Sequence, residues 1–262
     1  MRRAALLLSV LAGCVQSTGG RLVEFEATAS GPSDAVAGQL YRFTAATGFE
    51  VELSRAELFV GALYLNQSNP ANYTAETACI LPGIYSGEVK GGLRIDALNP
   101  ADQAFPVKGV GTDAPTRAAE LWLTAQHVNA DDEQTVVLSV EGVATRGAEV
   151  YPFGANFTIG ANRRTPASPA LPGSNPLCKQ RIVSPIAAQL TLAAEGALHL
   201  QVNPRRWFDN IDFAQLAPGQ SDPTRFEFFD GPSSRQPDVA LYNALRSTSG
   251  PYEFTWRELG GR

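Results

Sequence analysis

The chain has 262 residues, with 26 acidic and 21 basic side chains and a formal net charge of −5 at pH 7. This length suits one large domain or two small ones. The mildly acidic balance argues against a nucleic-acid partner, because binding to a phosphate backbone needs clustered Lys and Arg side chains.

The first 14 residues have the organisation of an export signal. Arg2 and Arg3 precede the apolar run 4–11, which is much shorter than the roughly 20 residues of a membrane-spanning helix. Residues 1–13 are therefore predicted to be a signal peptide. The run ends in Leu11-Ala12-Gly13-Cys14, which resembles the lipobox of bacterial lipoproteins.

The resemblance implies that Cys14 receives a diacylglyceryl group and becomes the first residue of the mature chain. Cys14 would then anchor an exported lipoprotein to a membrane of the cell envelope. Val15 follows the cysteine, and the lack of Asp at this position favours the outer membrane by the rule known for enteric bacteria. Which face of that membrane the protein occupies is left open. An ordinary signal peptide with a chance cysteine is the alternative.

The remaining cysteines and the segment after Cys14 define the rest of the chain. Residues 14–21 are predicted to be the lipidated cysteine and a short tether, and residues 22–262 a single β-sandwich-like domain. Once Cys14 is lipidated, Cys79 and Cys178 are left, and an exported protein is expected to join them in a disulfide. Two separate thiols are the alternative.

Short segments of β-strand character follow one another along the chain. Phe49, Val51 and Leu53 alternate with Glu50 and Glu52, which is typical of a half-buried strand. The nearly continuous apolar segment 56–65 predicts one central strand buried on both faces. Further strands are predicted at 22–29, 40–44, 84–89, 92–96, 119–125, 136–140 and 151–159.

The C-terminal third adds a proline-rich segment, a predicted hairpin and a predicted helix. Segment 165–177 is expected to be a surface excursion, and the hairpin to turn at Glu195-Gly196. Residues 238–246 have helical spacing, with Asp238 at the start and Arg246 at the end. Residues 252–256 close the chain as a strand. The predicted fold is all-β, mainly an antiparallel β-sandwich, with one short C-terminal helix.

The chain has two histidines, His127 and His199. His199 alternates with Leu198 and Leu200 and is expected on the polar face of its strand, while His127 precedes an acidic loop that contains Asp131. If the fold brings them together, the two imidazoles and this carboxylate could bind copper or zinc. Two unrelated surface histidines are the alternative.

A second candidate site lies in the segment 207–213, where Trp207, Asp209 and Asp212 combine an aromatic ring with two carboxylates. Paired carboxylates beside aromatic rings can serve sugar binding or glycoside hydrolysis. The alternative is an amphipathic turn that buries Trp207 and Ile211 and leaves the carboxylates to water or to neighbouring arginines.

The domain also resembles the MbnP-like family of exported, copper-associated β-sandwich proteins. The matching segments are Leu63-Tyr64-Leu65-Asn66, Pro82-Gly83-Ile84-Tyr85, Gly109-Val110-Gly111-Thr112, Leu121-Trp122-Leu123, Phe157-Thr158-Ile159-Gly160 and Leu198-His199-Leu200-Gln201-Val202. The resemblance implies a β-sandwich fold and copper as a cofactor, and it suggests Trp122 or Trp207 as a redox-modified aromatic residue. The family pattern has a histidine where this chain has Thr158.

No sequence motif of a common catalytic class is found in the chain. Gly-x-Ser-x-Gly, a phosphate-binding loop, His-Glu-x-x-His and Cys-x-x-Cys-His are all missing from the sequence. We therefore expect a non-enzymatic cell-envelope lipoprotein whose β domain binds a protein or a small molecule. An MbnP-like periplasmic copper-binding protein is the first alternative, and a carbohydrate-active hydrolase is the second.

Overall fold

A computed structural model of the chain describes residues 20–69, 84–128, 130, 132–161, 181–220 and 222–259. The predicted signal peptide, Cys14, Cys79, Cys178 and Asp131 lie outside these residues. Half of the described residues are in strands, and two short helices accompany them. The expectation of a mainly β protein is therefore confirmed.

Sixteen strands are found in the described ranges. They are β1 (Leu22–Ser30), β2 (Tyr41–Thr44), β3 (Glu50–Val60), β4 (Ala62–Asn66), β5 (Tyr85–Val89), β6 (Leu93–Asp96), β7 (Gln103–Ala104), β8 (Gly109–Thr112), β9 (Pro115–Trp122), β10 (Val136–Arg146), β11 (Glu149–Thr158), β12 (Ile182–Thr191), β13 (Gly196–Val202), β14 (Ala217–Pro218), β15 (Phe226–Glu227) and β16 (Tyr252–Glu258). The helices are α1 (Arg205–Phe208) and α2 (Gln236–Leu245). Neither is long and apolar enough to cross a membrane.

The strands form two sheets. The first has the order β12-β9-β4-β5-β8-β1-β13-β16, with β7 also paired to β1, and the second has the order β14-β15-β11-β10-β3-β2, with β6 paired to β3. In the first sheet the outer strands β12 and β16 lie against each other, so this sheet is a nearly closed barrel rather than clearly half of a sandwich. Among the described pairs only β1–β13 and β11–β15 are parallel.

Segment 56–65, predicted to be one central strand, is divided between two strands. It contains the end of β3 and nearly all of β4. β3 belongs to the second sheet and β4 to the first, and Gly61 is the single residue between them. A Cβ atom at Gly61 would overlap the Oγ1 atom of Thr124. The chain can therefore pass from sheet to sheet at this point because the residue has no side chain.

The predicted hairpin around Glu195-Gly196 is wrong. β12 pairs with β9, whereas β13 lies between β1 and β16, so the two strands that flank the turn are not hydrogen-bonded to each other. Leu192 is fully buried, which shows that the chain turns into the core between these strands. A short connection indicates a turn but does not determine which strands pair.

The helix expected at 238–246 is confirmed and begins two residues earlier. Its buried residues are Pro237, Asp238, Leu241 and Leu245. Helix α1 was not expected; it buries Trp207 and Phe208. Rings from the second sheet, from α1 and from the segments after α1 and β15 pack together in the core, and these rings are Phe43, Phe153, Phe208, Phe213 and Phe228.

Candidate functional site

His199 is buried, with 3 % of the residue exposed, and not on a solvent-facing polar surface as expected. It lies in the middle of β13, which has β1 on one side and β16 on the other, and all but one of the residues of β13 are buried. Both faces of the strand are covered, so alternation along the sequence did not reveal which side chains meet water. The two ring nitrogens lie near hydroxyl groups of β1, with Nδ1 3.0 Å from Thr28 Oγ1 and Nε2 3.2 Å from Ser30 Oγ.

Ser30, His199 and Asp102 together resemble the arrangement of a hydrolytic triad. The Oδ1 atom of Asp102 is 3.3 Å from Nδ1 of His199, on the side opposite to the contact with Ser30. However, the Ser30 hydroxyl donates to the carbonyl of Gly31, and Ser30 is 4 % exposed. A nucleophile must reach its substrate. This cluster therefore fits a buried histidine with a hydrogen-bond partner on each nitrogen better than it fits a catalytic centre.

The electrostatics of His199 agree with this interpretation. Burial lowers the pKa of the imidazole, the positive charge of Arg257 lowers it further, and the carboxylate of Asp102 opposes both effects. Asp102 itself forms an ion pair with Arg257, with Nη1 2.8 Å from Oδ2. The negative charge of Asp102, which would favour a protonated His199, is therefore partly neutralised by Arg257.

His127 lies elsewhere, in the loop that follows β9. It lines a depression of about 310 Å³ together with Gly61, Lys90, Gly91, Gln126 and Val128. In the described structure the hydrogen-bond and ion-pair partners of His199 are Thr28, Ser30 and Asp102, and His127 is not among them. In the described ranges, no group of three or more His, Cys, Asp or Glu side chains could hold a metal ion. The described residues therefore give no support to the predicted copper site.

Trp207, Asp209 and Asp212 lie in and just after α1, where each has a local structural contact. Trp207 is fully buried in the core. Asp209 forms an ion pair with Arg206, at 2.9 Å, and Asp212 accepts hydrogen bonds from the Ala214 amide and the Gln215 side chain at the start of a short 3₁₀ helix. The segment has the geometry of the amphipathic turn that was the alternative to a sugar site.

The most unusual polar group in the described structure is Glu120, which sequence reasoning missed. It lies in β9 and is 0 % exposed. Its side chain points away from the core side chains of its neighbours Ala119 and Leu121, because successive residues of a strand face opposite sides. The Oε1 atom accepts from Asn66 Nδ2 at 2.9 Å, and Oε2 accepts from Trp122 Nε1 at 3.0 Å.

No cationic side chain in the described residues pairs with this carboxylate, although a buried carboxylate normally needs a counter-charge. Burial raises the pKa of Glu120, while the donors on Trp122 and Asn66 lower it by a smaller amount. Asn66 is also 0 % exposed, and its Oδ1 atom is buried without any hydrogen-bond donor in the described structure. The result is a buried pair of residues with more acceptors than donors.

Aromatic rings border this pair. The Tyr64 ring is 4.9 Å from the Trp122 ring and 5.2 Å from the Tyr85 ring, measured between centroids. The guanidinium carbon of Arg181 is 5.7 Å from the centroid of the Trp122 ring. Tyr85 is 44 % exposed, whereas Tyr64 and Trp122 are partly buried. We call Glu120, Asn66, Tyr64, Tyr85 and Trp122 the Glu120 cluster.

The sequence pattern indicates part of the Glu120 cluster. Glu120 and Trp122 alternate with Leu121 and Leu123, so they share the face of their strand that is opposite to two leucines. The sequence could not reveal that β4 pairs with β9 in a register that sets Tyr64 opposite Glu120.

Comparison of the chain with protein-family models, with curated protein sequences and with solved structures gave no match. The resemblances to lipoproteins and to the MbnP-like family therefore stay predictions that rest on the residues quoted above.

Proposed function

We propose that this chain is an exported bacterial lipoprotein, held at the outer membrane through Cys14, and that its β domain is a non-enzymatic binding module. One observation carries the binding role: Glu120 is a fully buried carboxylate with no cationic partner in the described structure. Buried ionisable groups whose ionisation is perturbed and that lack a structural counter-charge cluster at functional sites. The partly exposed aromatic rings beside it provide a surface that a ligand can contact.

The chemistry of the cluster supports binding rather than catalysis. Both carboxylate oxygens already accept hydrogen bonds from fixed donors, and no Ser, Cys, His, Lys or second carboxylate lies among the five residues of the Glu120 cluster. General acid–base catalysis by a carboxyl group needs a substrate atom within hydrogen-bond reach of that group. A carboxylate held rigidly by two neighbours is suited instead to recognising charge and hydrogen-bond donors.

The lipid anchor is tested on the full chain expressed in a bacterium. We expect the mature protein to begin at Cys14, to carry the mass of attached acyl groups and to sediment with the outer membrane. Cys14→Ser should leave the protein without acyl mass and move it out of the membrane fraction. A wild-type protein that starts elsewhere or carries no lipid would refute the anchor.

The binding role is tested with a thermal-shift panel on the purified full chain. The panel contains separate sets of amines, carboxylates, sugars and neutral alcohols. At least one set is expected to raise Tm in the wild type, since a ligand that binds only the folded state stabilises it. The shift should disappear in Glu120→Gln. Shifts that persist unchanged in this variant, or a panel without any shift, would contradict the proposed site.

A further inference from the structure

We infer that the Glu120 cluster recognises a primary ammonium group, carried by a small organic amine or by an amino terminus. The inference rests on the proposed binding function and adds the chemical class of the ligand. It draws on charge, on hydrogen bonding and on the aromatic surroundings.

The charge requirement comes from Glu120. This residue is fully buried, and the hydrogen-bond donors to its two oxygens in the described structure are Asn66 and Trp122, both of which are neutral. Moving an ionised carboxylate out of water is strongly unfavourable unless a cation compensates it. A ligand that brings one positive charge would supply the missing compensation, whereas an acidic ligand would add a second negative charge.

The hydrogen-bond requirement comes from Asn66. The orientation of its amide is determined by Glu120, because Nδ2 must point at the carboxylate in order to donate. Oδ1 then faces the other way, buried and without a donor in the described structure. A buried acceptor left without a partner destabilises the folded protein. A primary ammonium group offers three donors and no acceptor, and so it suits Glu120 and Asn66 together.

The aromatic surroundings favour the same class. The rings of Tyr64 and Trp122 lie beside the carboxylate, and cations bind favourably over the faces of Trp and Tyr rings. The Trp122 ring already has a guanidinium group within 5.7 Å, that of Arg181. Approach from solvent is expected along Tyr85, the most exposed ring of the cluster.

Two other ligand classes fit less well. A metal ion is disfavoured because the described residues hold no group of three or more potential ligand side chains. A sugar hydroxyl both donates and accepts, and it would leave Glu120 without a counter-charge. A quaternary ammonium supplies charge but no N–H group, so it cannot satisfy Asn66 Oδ1. The primary ammonium is the one class among these that satisfies both residues.

The test measures Kd by calorimetry on the full chain, with propylamine, tetramethylammonium, propanol and propionate as probes. Propylamine is expected to bind at least tenfold more tightly than each of the other three. Glu120→Gln should weaken propylamine binding at least tenfold. Glu253→Gln should leave it unchanged, because Glu253 is an exposed carboxylate on β16 of the same sheet.

A second measurement needs no variant at Glu120. The indole N–H of Trp122 donates to Glu120, so its NMR resonance should shift when propylamine occupies the site. The resonance is assigned with Trp122→Phe. A resonance that does not move at saturating amine would overturn the inference even if Glu120→Gln proved unstable.

The outcomes separate the ligand class from the proposed function. If sugars, alcohols or carboxylates bind in a way that depends on Glu120 while propylamine does not, the ammonium class is wrong and the binding site stands. Equal affinity for tetramethylammonium would also reject the class, because the role given to Asn66 requires an N–H donor. If no probe binds in a way that depends on Glu120, both the ammonium ligand class and the proposed binding site are refuted.

Discussion

Thr28 and His199 lie directly opposite each other on the parallel strands β1 and β13, with 3.0 Å between Thr28 Oγ1 and the Nδ1 atom of His199. The two residues are 171 positions apart in the chain. Their contact connects the first strand of the domain to one of the last strands. Because the imidazole is buried and close to Arg257, its pKa is lowered, and the pair is suited to a neutral histidine.

Acidification is expected to destabilise the protein through His199. In the unfolded chain the imidazole takes up a proton around its ordinary pKa of 6.5, whereas the folded protein resists protonation until a lower pH. The stability contributed by the neutral histidine is therefore present above pH 6.5 and is lost as pH falls through the folded pKa. Denaturant titrations between pH 7.5 and 5 should show this decline in the free energy of unfolding.

His199→Gln provides the control for this prediction. The variant keeps a polar side chain near Thr28 and Ser30 but cannot titrate. Its free energy of unfolding should decline less than that of the wild type over the same pH range. Parallel curves for the two proteins would show that the titration of His199 does not contribute.

His199 also shows what the sequence can and cannot predict about this fold. Alternation correctly separated Phe49, Val51 and Leu53, which are buried, from Glu50 and Glu52, because one face of β3 packs on the core and the other meets solvent. The same rule was misleading for His199, since β13 has cover on both faces. A period of two identifies two faces of a strand, but it does not state how many of them are covered.

Gly61 is expected to tolerate no side chain because of its contact with Thr124. In Gly61→Ala the new methyl group would overlap Thr124 Oγ1, and overpacking of this kind typically costs about 1–3 kcal/mol. The double variant Gly61→Ala/Thr124→Ala should recover part of this loss, since the hydroxyl of Thr124 is buried without a partner in the described structure. Chemical denaturation measures both. Equal losses in the single and double variants would contradict the steric explanation.

Asp238 is expected to be far more important for stability than a similar aspartate, Asp209, directly after α1. It is 2 % exposed and accepts hydrogen bonds from the Phe229 amide and from the Ser233 and Arg235 side chains. Asp238→Ala leaves these donors without their acceptor and should lower the free energy of unfolding by about 3 kcal/mol.

The matched control is Asp209→Ala, because both aspartates pair with an arginine three residues earlier. The distances are 2.7 Å for Arg235–Asp238 and 2.9 Å for Arg206–Asp209. Arg206 is more than half exposed, and exposed ion pairs contribute at most about 1 kcal/mol. A loss in Asp209→Ala as large as that in Asp238→Ala would show that burial is not the cause of the difference.

The predicted disulfide gives a test of the export hypothesis that does not depend on the described residues. A bridge between Cys79 and Cys178 would close a loop of about 100 residues, which stabilises by about 4–5 kcal/mol in the chain-entropy model. Non-reducing mass spectrometry of the exported protein should find the two cysteines linked, and reduction should lower Tm. Two free thiols in the oxidised protein would refute the bridge.

The Glu120 cluster shows why a site can be invisible in a single sequence. Asn66 and Glu120 are 54 positions apart, and neither belongs to a recognisable motif. Their meeting depends on the register between β4 and β9. The core packing of Leu63 and Leu65 on β4 and of Ala119 and Leu121 on β9 determines this register. Alternation predicted that Glu120 and Trp122 share a face, but it could not show that this face is covered.

Glu120 should make the protein less stable as pH rises, which is opposite in sign to the effect of His199. Burial raises the folded pKa of this carboxyl group above its ordinary value of 4.5, so the folded state holds the proton more tightly than the unfolded state does. The stabilising contribution is fully present below pH 4.5 and is lost as pH rises through the folded pKa.

Glu120→Gln removes this dependence. Its amide can still pair with Trp122 and with a rotated Asn66 amide, so the variant is expected to fold. The free energy of unfolding of the variant, minus that of the wild type, should therefore increase from pH 4.5 upward and level off once Glu120 is ionised in both states. A difference that stays constant with pH would show that the ionisation of Glu120 is not perturbed in the folded protein.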